Sequence, residues 1–199
     1  MNIAVLCSGN GSNFQAIADS LKSGKIKGKV ALMVCDNPKA FALTRAKKAG
    51  IKTALIERKN FKTTRDFEAE IIKSLEKEKI ELICLAGFMR IMGAEFVRRF
   101  RNKILNIHPA LLPSFKGAHG IKDALDYGVK VTGVTVHFVD DKMDHGPIIL
   151  QEALEVKNDD TQDSLGQRIH KIEHKLYPEA IKLFVEKRLK IEGRRVKIK

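Results

Sequence analysis

The chain has 199 residues, 44% of them apolar and 31% charged, which suits one globular domain with its own core and excludes a disordered or fibrous polypeptide. A net charge of +13 is spread thinly over separate lysine pairs and a basic C-terminal run, and aromatics are only 6%, so the interleaved basic and aromatic pattern of base-stacking modules is missing and no nucleic-acid role is expected. No apolar stretch reaches the roughly 18 residues of a membrane span, no basic leader precedes the first apolar run, and Cys7, Cys35 and Cys84 form no Cys-x-x-Cys pair. The expectation is a cytoplasmic protein with buried, reduced thiols.

In chain order, residues 3–7 form a short apolar run, followed by Ser8-Gly9-Asn10-Gly11-Ser12-Asn13 and then by Phe14, Ile17, Ala18 and Leu21 at helical spacing. This predicts strand, loop and helix. Residues 30–35 read as a second strand, 41–49 as a helix ended by Gly50, and 51–55 as a third strand. A longer helix over 65–77 carries Phe67, Ile71, Ile72 and Leu75 on one side, and residues 80–86 return to a nearly continuous apolar strand. A short helix over 94–99 and a strand over 104–107 follow. Such alternation predicts an α/β fold, an open and mostly parallel twisted sheet with helices on both faces.

The segment from His108 to Gly120 is rich in Pro, Gly and Ser and predicts a functional loop. Beyond it, Val134, Val136 and Phe138 alternate with Thr135 and His137, so one strand face is core and the other is free to line a site. Residues 148–156 make another strand, close enough to predict an antiparallel addition to the sheet. Asp159-Asp160-Thr161 reads as a helix cap before Leu165, Ile169, Ile172 and Leu176, the apolar stripe of a long helix bent at Pro178. Residues 194–199 read as a basic tail.

Two segments carry chemistry. Asn106 and His108 are two residues apart at the end of a strand, so their side chains leave one face, and Pro109 keeps His108 on extended backbone where a loop bearing Asp144 can reach it. An amide, an imidazole and a carboxylate at strand ends are the parts of a proton-handling site. Singly, each has a plainer explanation in core packing or turn chemistry; it is their joint spacing that points to function. The glycine loop at residues 8–13 joins a strand to a helix, where free amides suit an anion. Phe14 replaces the third glycine of a dinucleotide fingerprint and the P-loop lysine is missing, so a tight turn capped by Ser12 or Asn13 explains it equally well.

Cys7-Ser8-Gly9-Asn10-Gly11-Ser12-Asn13, Leu85-Ala86-Gly87-Phe88-Met89-Arg90-Ile91, Leu105-Asn106-Ile107-His108-Pro109-Ala110-Leu111-Leu112-Pro113 and Gly133-Val134-Thr135-Val136-His137-Phe138-Val139 with Asp144-His145-Gly146-Pro147 after it stand in one order along nearly the whole chain. In this the sequence resembles the phosphoribosylglycinamide formyltransferase family. The resemblance implies a single domain over 1–199, with a phosphate-binding half about 1–100 and a folate and catalytic half about 80–190. It implies formyl transfer from 10-formyltetrahydrofolate to the amine of glycinamide ribonucleotide in purine synthesis, with Asn106, His108 and Asp144 catalytic. Gly11, Ser12 and Asn13 would hold the phosphate, Glu173 the ribose, and Met89, Arg90, Ile91, Met92, Asn106 and Asp140 the folate.

Formyl transfer needs donors at a tetrahedral oxyanion and groups that move protons. Asn106 supplies an amide donor, and His108 held protonated by Asp144 supplies a second donor and an acid. Thr135 and His137 are expected to support the site by hydrogen bonds, while His119 stands between a site-lining donor and a solvated loop residue. His170 and His174 lack a nearby third ligand, so no metal is expected. The family's arginine before the 65–77 helix is replaced by Thr64, which leaves Arg65 or Lys62 to meet the folate glutamate. The oligomeric state is open between monomer and homodimer. Alternatives are a methionyl-tRNA formyltransferase relative, disfavoured by length and by the glycine loop, a formyltetrahydrofolate hydrolase relative, disfavoured because no room is expected for that family's added N-terminal domain, and a non-catalytic nucleotide-binding module.

Overall fold

A computed structural model describes Met1–Lys199, which packs as two compact units, Met1–Leu105 and Asn106–Lys199. The first unit begins with β1 (Asn2–Leu6), α1 (Ser12–Lys22), β2 (Lys29–Cys35), α2 (Phe41–Lys48) and β3 (Thr53–Leu55). A single 3₁₀ turn at Arg58–Asn60 precedes α3 (Thr64–Lys77), β4 (Leu82–Leu85) and α4 (Ala94–Arg99). Its strands stand in the order β3-β2-β1-β4, parallel throughout. The four residues of β4 are all buried, as are Ile3, Ala4, Val5 and Leu6 of β1, which is why both read as continuous apolar runs.

Helix ends follow local chemistry. The Thr63 hydroxyl accepts from the Asp66 amide at the start of α3, one residue before the expected helix. Its inner face holds Phe67, Ile71 and Leu75, but Ile72 is only half-buried and the fourth buried residue is Glu68. That carboxylate is satisfied by the Gly93 amide at 2.6 Å, so it pins the loop that enters α4.

The second unit holds β5 (Ile104–His108), which crosses its border, then α5 (Gly120–Tyr127), β6 (Val131–Phe138), β7 (Ile148–Glu155), α6 (Gln162–Val185), β8 (Leu189–Glu192) and β9 (Arg195–Ile198). The strand order is β5-β6-β7-β9-β8. β6 and β7 are antiparallel, as expected. Thr161 caps α6 in a reciprocal pair with Ser164, and the helix runs on through Pro178.

Two expectations change. α5 was not foreseen: Ile121, Ala124 and Leu125 have helical spacing, and Gly128 closes the helix in the left-handed region, but eight residues give a weak periodic signal. The basic tail is a hairpin, β8 against β9, turned at Gly193 with φ 60°. Both faces of β6 are buried from Thr132 to Phe138, one carrying Val134, Val136 and Phe138 and the other Thr135 and His137. No helix is long and apolar enough to cross a membrane.

Candidate active site

In the first unit the chain moves outward from β1 to β2 and β3, then returns to β4 on the other side of β1. Loops leaving the carboxyl ends of β1 and β4 diverge there, which is where open α/β sheets bind ligands. The two loops are tied together. The Ser8 amide donates to the Gly87 carbonyl at 3.0 Å, and the Met89 amide donates to Ser8 Oγ at 3.0 Å. Gly11 is the residue before α1, with φ 74°, and no side chain caps the helix, so neither Ser12 nor Asn13 is the cap. A β-carbon on Gly11 would lie 2.7 Å from Ala42 Cβ. Left-handed backbone and close approach to α2 together require glycine.

Arg45 holds this turn from behind, donating from Nε to the Asn10 carbonyl and from Nη2 to Asn10 Oδ1, each at 3.0 Å. On the β4 side, Arg90 Nε donates to Asp36 Oδ2 at 2.8 Å. Met89 and Ile91 are 67% and 73% exposed while Met92 is buried. Two large apolar side chains in the open beside a sheet's carboxyl edge suit a flat, largely apolar ligand. Arg65 pairs with Glu95 at 3.3 Å, and Lys62 is exposed. Burial pushes the Cys7 thiol up to about 12, with Cys35 and Asp36 adding to the effect, so it is an inert thiol.

In the second unit, β5 delivers Asn106 and His108, β6 delivers Thr135 and His137, and the loop between β6 and β7 delivers Asp144. His137 Nδ1 lies 2.8 Å from the Phe138 carbonyl, which puts the ring hydrogen there and leaves Nε2 as an acceptor. Asn106 Nδ2 donates to that Nε2 at 3.1 Å and to Asp144 Oδ1 at 3.4 Å. His108 Nε2 lies 2.7 Å from the Phe115 carbonyl and so carries hydrogen, while Nδ1 faces Asp144 Oδ2 at 3.5 Å. The Gly117 amide donates to the same oxygen at 2.8 Å. Thr135 lies behind this group: its hydroxyl donates to the Ala110 carbonyl, accepts from the Leu112 amide, and is met by Gln151 Nε2. It fixes the 110–112 backbone, which includes a cis Leu112-Pro113 bond at its end.

The electrostatics overturn one expectation. His108 is 3% exposed, and burial lowers its pKa below the ordinary histidine value by more than Asp144 and the Phe115 carbonyl raise it. The resting imidazole is therefore neutral near pH 7, not held charged by its carboxylate. Burial would raise Asp144 as well, but the His137 and His108 rings beside it and the Gly117 amide that donates to it bring it below its usual value. Asp144 stays a carboxylate.

The formyl transferase family model matches residues 1–181. The chain belongs to the formyl transferase family. This formyl transferase is 47% identical over 179 residues to the phosphoribosylglycinamide formyltransferase of Bacillus subtilis, covering 90% of this chain and 92% of that protein. With the phosphoribosylglycinamide formyltransferase of Escherichia coli it shares 42% identity over 191 residues, 96% and 90% of the two chains. The crystal structure of glycinamide ribonucleotide transformylase 1 from Symbiobacterium toebii superposes with a TM-score of 0.98 at 46% identity, covering all of this chain and 93% of that one. The mostly parallel α/β fold expected from the sequence is the fold of these relatives.

Of the residues singled out in the sequence, Asn106, His108, Asp144, His137 and Thr135 are gathered within the second unit, and Glu173 is buried on α6, accepting from His170 Nδ1 at 2.8 Å. His119 is exposed at the start of α5 and makes no capping bond through its side chain. Asp140 is turned towards His145, with Oδ2 2.7 Å from Nδ1. No group of three or more His, Cys, Asp or Glu side chains is placed to hold a metal ion. Sequence reasoning missed Arg45, Asp36 and Arg194. All three are long-range partners of loop residues, and single charged residues on a polar background carry no periodic signal.

Proposed function

We propose that this formyl transferase carries the formyl group of 10-formyltetrahydrofolate to the amine of glycinamide ribonucleotide, a cytoplasmic step of purine synthesis. The observation that carries the reading is the group of Asn106, His137 and Asp144, with Asn106 donating to the other two, and His108 Nδ1 facing the same Asp144 carboxylate at 3.5 Å: a neutral imidazole and a charged carboxylate beside an amide donor. In this reading Gly11, Ser12 and Asn13 hold the substrate phosphate through backbone amides, and Glu173 meets the ribose. Met89, Arg90, Ile91 and Met92, with Asp140, take the folate, and the exposure of Met89 and Ile91 supports that. The donor supplies the formyl carbon on a nitrogen that leaves once protonated.

His108 enters neutral, with Nε2–H fixed on the Phe115 carbonyl and the Nδ1 lone pair open. When the amine lone pair attacks, the carbonyl π electrons pass to oxygen and the new ammonium must lose a proton. His108 Nδ1 accepts it, and the imidazolium formed faces Asp144, whose carboxylate favours that charge. Asn106 turns to the oxyanion the N–H that now makes the longer bond, 3.4 Å to Asp144, while His137 keeps the other and fixes the amide's orientation. His108 then returns the proton to the leaving folate nitrogen as the carbon–nitrogen bond breaks. Proton count and charge balance without a metal step.

The test is folate turnover with and without glycinamide ribonucleotide. Formylated product formed only with the ribonucleotide supports transfer. Formate release without it indicates hydrolysis, and no turnover at all indicates a binding module.

A further inference from the structure

We propose that Arg194, in the turn of the C-terminal hairpin, is a positioning residue that holds His145 and thereby keeps the left-handed backbone of Asp144 aimed at His108. This rests on the role given above to Asp144. β9 pairs with β7 at Ile148 and Arg195, so the residue before the pair, Arg194, comes alongside the loop that carries Asp144. Its guanidinium makes two kinds of contact with one residue. Nη2 donates to the His145 carbonyl at 2.7 Å, and Nη1 lies 3.0 Å from His145 Nε2 and 3.3 Å from Nδ1. Because Nδ1 is 2.7 Å from Asp140 Oδ2, the ring hydrogen belongs on Nδ1 and donates to Asp140, while Nη1, nearly equidistant from the two ring nitrogens, packs on the ring face. The other Asp140 oxygen accepts from the Lys142 amide at 3.1 Å. The His145 ring is thus held between Asp140 and the Arg194 guanidinium, and its carbonyl by Arg194 Nη2.

The loop needs such a hold. Asp144 has φ 47°, in the left-handed region, which aspartate tolerates better than most side chains but which is not its lowest-energy backbone. On its far side the chain is pinned, since a β-carbon on Gly146 would overlap the Phe138 carbonyl and the Phe138 amide donates to the Pro147 carbonyl at 2.9 Å. On its near side, His145 is gripped through its own carbonyl, the group that follows Asp144 by one peptide. Without Arg194 the His145 carbonyl loses its side-chain donor, and Asp144, still met by the Gly117 amide and by Asn106, keeps fewer constraints on its backbone and shifts relative to Nδ1 of His108, 3.5 Å distant. A misplacement of this order at a proton-transfer distance affects turnover more than binding.

Turnover of the full chain is measured for Arg194→Ala, Arg194→Lys, Asp144→Asn and Arg194→Ala with Asp144→Asn. Arg194→Ala is expected to lower kcat roughly tenfold, with KM for glycinamide ribonucleotide unchanged, and Arg194→Lys to recover part of the loss. Amide exchange across residues 140–147 should speed up in the Ala variant. In the Asp144→Asn background, Arg194→Ala should add no further loss, since the two act on one group. Equal losses in both backgrounds, or wild-type kcat in Arg194→Ala, overturn the positioning role and leave Asp144 as read. Wild-type kcat in Asp144→Asn alone overturns the reading of Asp144, and this proposal with it.

Discussion

The glycine loop of the first unit and the Asn106, His108, His137 and Asp144 group of the second are built from opposite materials. One is backbone: Gly11 without a β-carbon, amides at the start of α1, and Ala42 and Arg45 pressing from behind. The other is side chain: two residues from β5, one from β6 and one from a loop, none of them adjacent in sequence. A backbone site has geometry but no titrating group, so it can hold a charge and cannot move a proton. A side-chain site can do both, and its behaviour depends on burial that no local pattern reveals.

The sharpest way to break this division is to remove the side-chain donors. Asn106→Ala and His108→Ala should each lower kcat about 100 to 1,000-fold, with both substrates still binding. Turnover at saturating substrate is the readout, and a variant retaining wild-type kcat would remove that residue from the catalytic set. Asp144→Asn follows with a smaller loss, roughly 10 to 100-fold, because Asn106 and His108 remain while the charge that favours the imidazolium is gone. Asn also tolerates a left-handed backbone, so the fold at φ 47° is kept. If turnover survives that change, Asp144 only shapes the loop.

How far each half was legible follows from the same division. Gly11 stood out because a positive φ leaves a mark in composition, and the alternation of apolar runs gave the parallel strands of the first unit. Asn106 and His108 were legible through their spacing of two on an extended strand. His137 as the partner of Asn106 was half visible, as a polar residue on the inner side of an alternating strand, but its tautomer came only with the Phe138 carbonyl. The neutral state of His108 was not legible. Its sequence neighbours suggest a carboxylate partner, whereas the outcome is decided by burial among residues distant in sequence.

The backbone site should fail differently. Gly11→Val adds a β-carbon 2.7 Å from Ala42 and forces a left-handed backbone on a branched residue, costing about 1 to 2 kcal/mol from backbone alone. Gly9→Ala meets nothing within 4 Å and should leave stability unchanged. Urea unfolding distinguishes the two. Where Gly11→Val still folds, KM for glycinamide ribonucleotide should rise much more than KM for folate, and an equal rise in both would separate this loop from the phosphate.

The smallest effect concerns protons. Burial lowers the His108 pKa, and the Asp144 charge opposes it without prevailing. Above about pH 6.5, the unfolded histidine value, the imidazole is neutral in both states and contributes no pH dependence. As pH falls below that value the unfolded chain takes up the proton first, so stability declines through the window between the unfolded and the lower folded pKa. Asp144 acts in the same direction at more acid pH, since its folded pKa is also depressed and its contribution fades as the carboxylate is protonated. Catalysis should show the matching sign: the acid limb of the rate profile, where His108 Nδ1 becomes occupied and cannot accept the amine proton, should lie below pH 6.5. Asp144→Asn removes the larger of the two negative charges that act on the ring, the other being Glu173, so the NMR titration of His108 and the acid limb should both move further down. An imidazole that titrates at or above 6.5 in the wild type, or that moves up in Asp144→Asn, would mean that the carboxylate outweighs burial and that His108 begins the reaction as an acid.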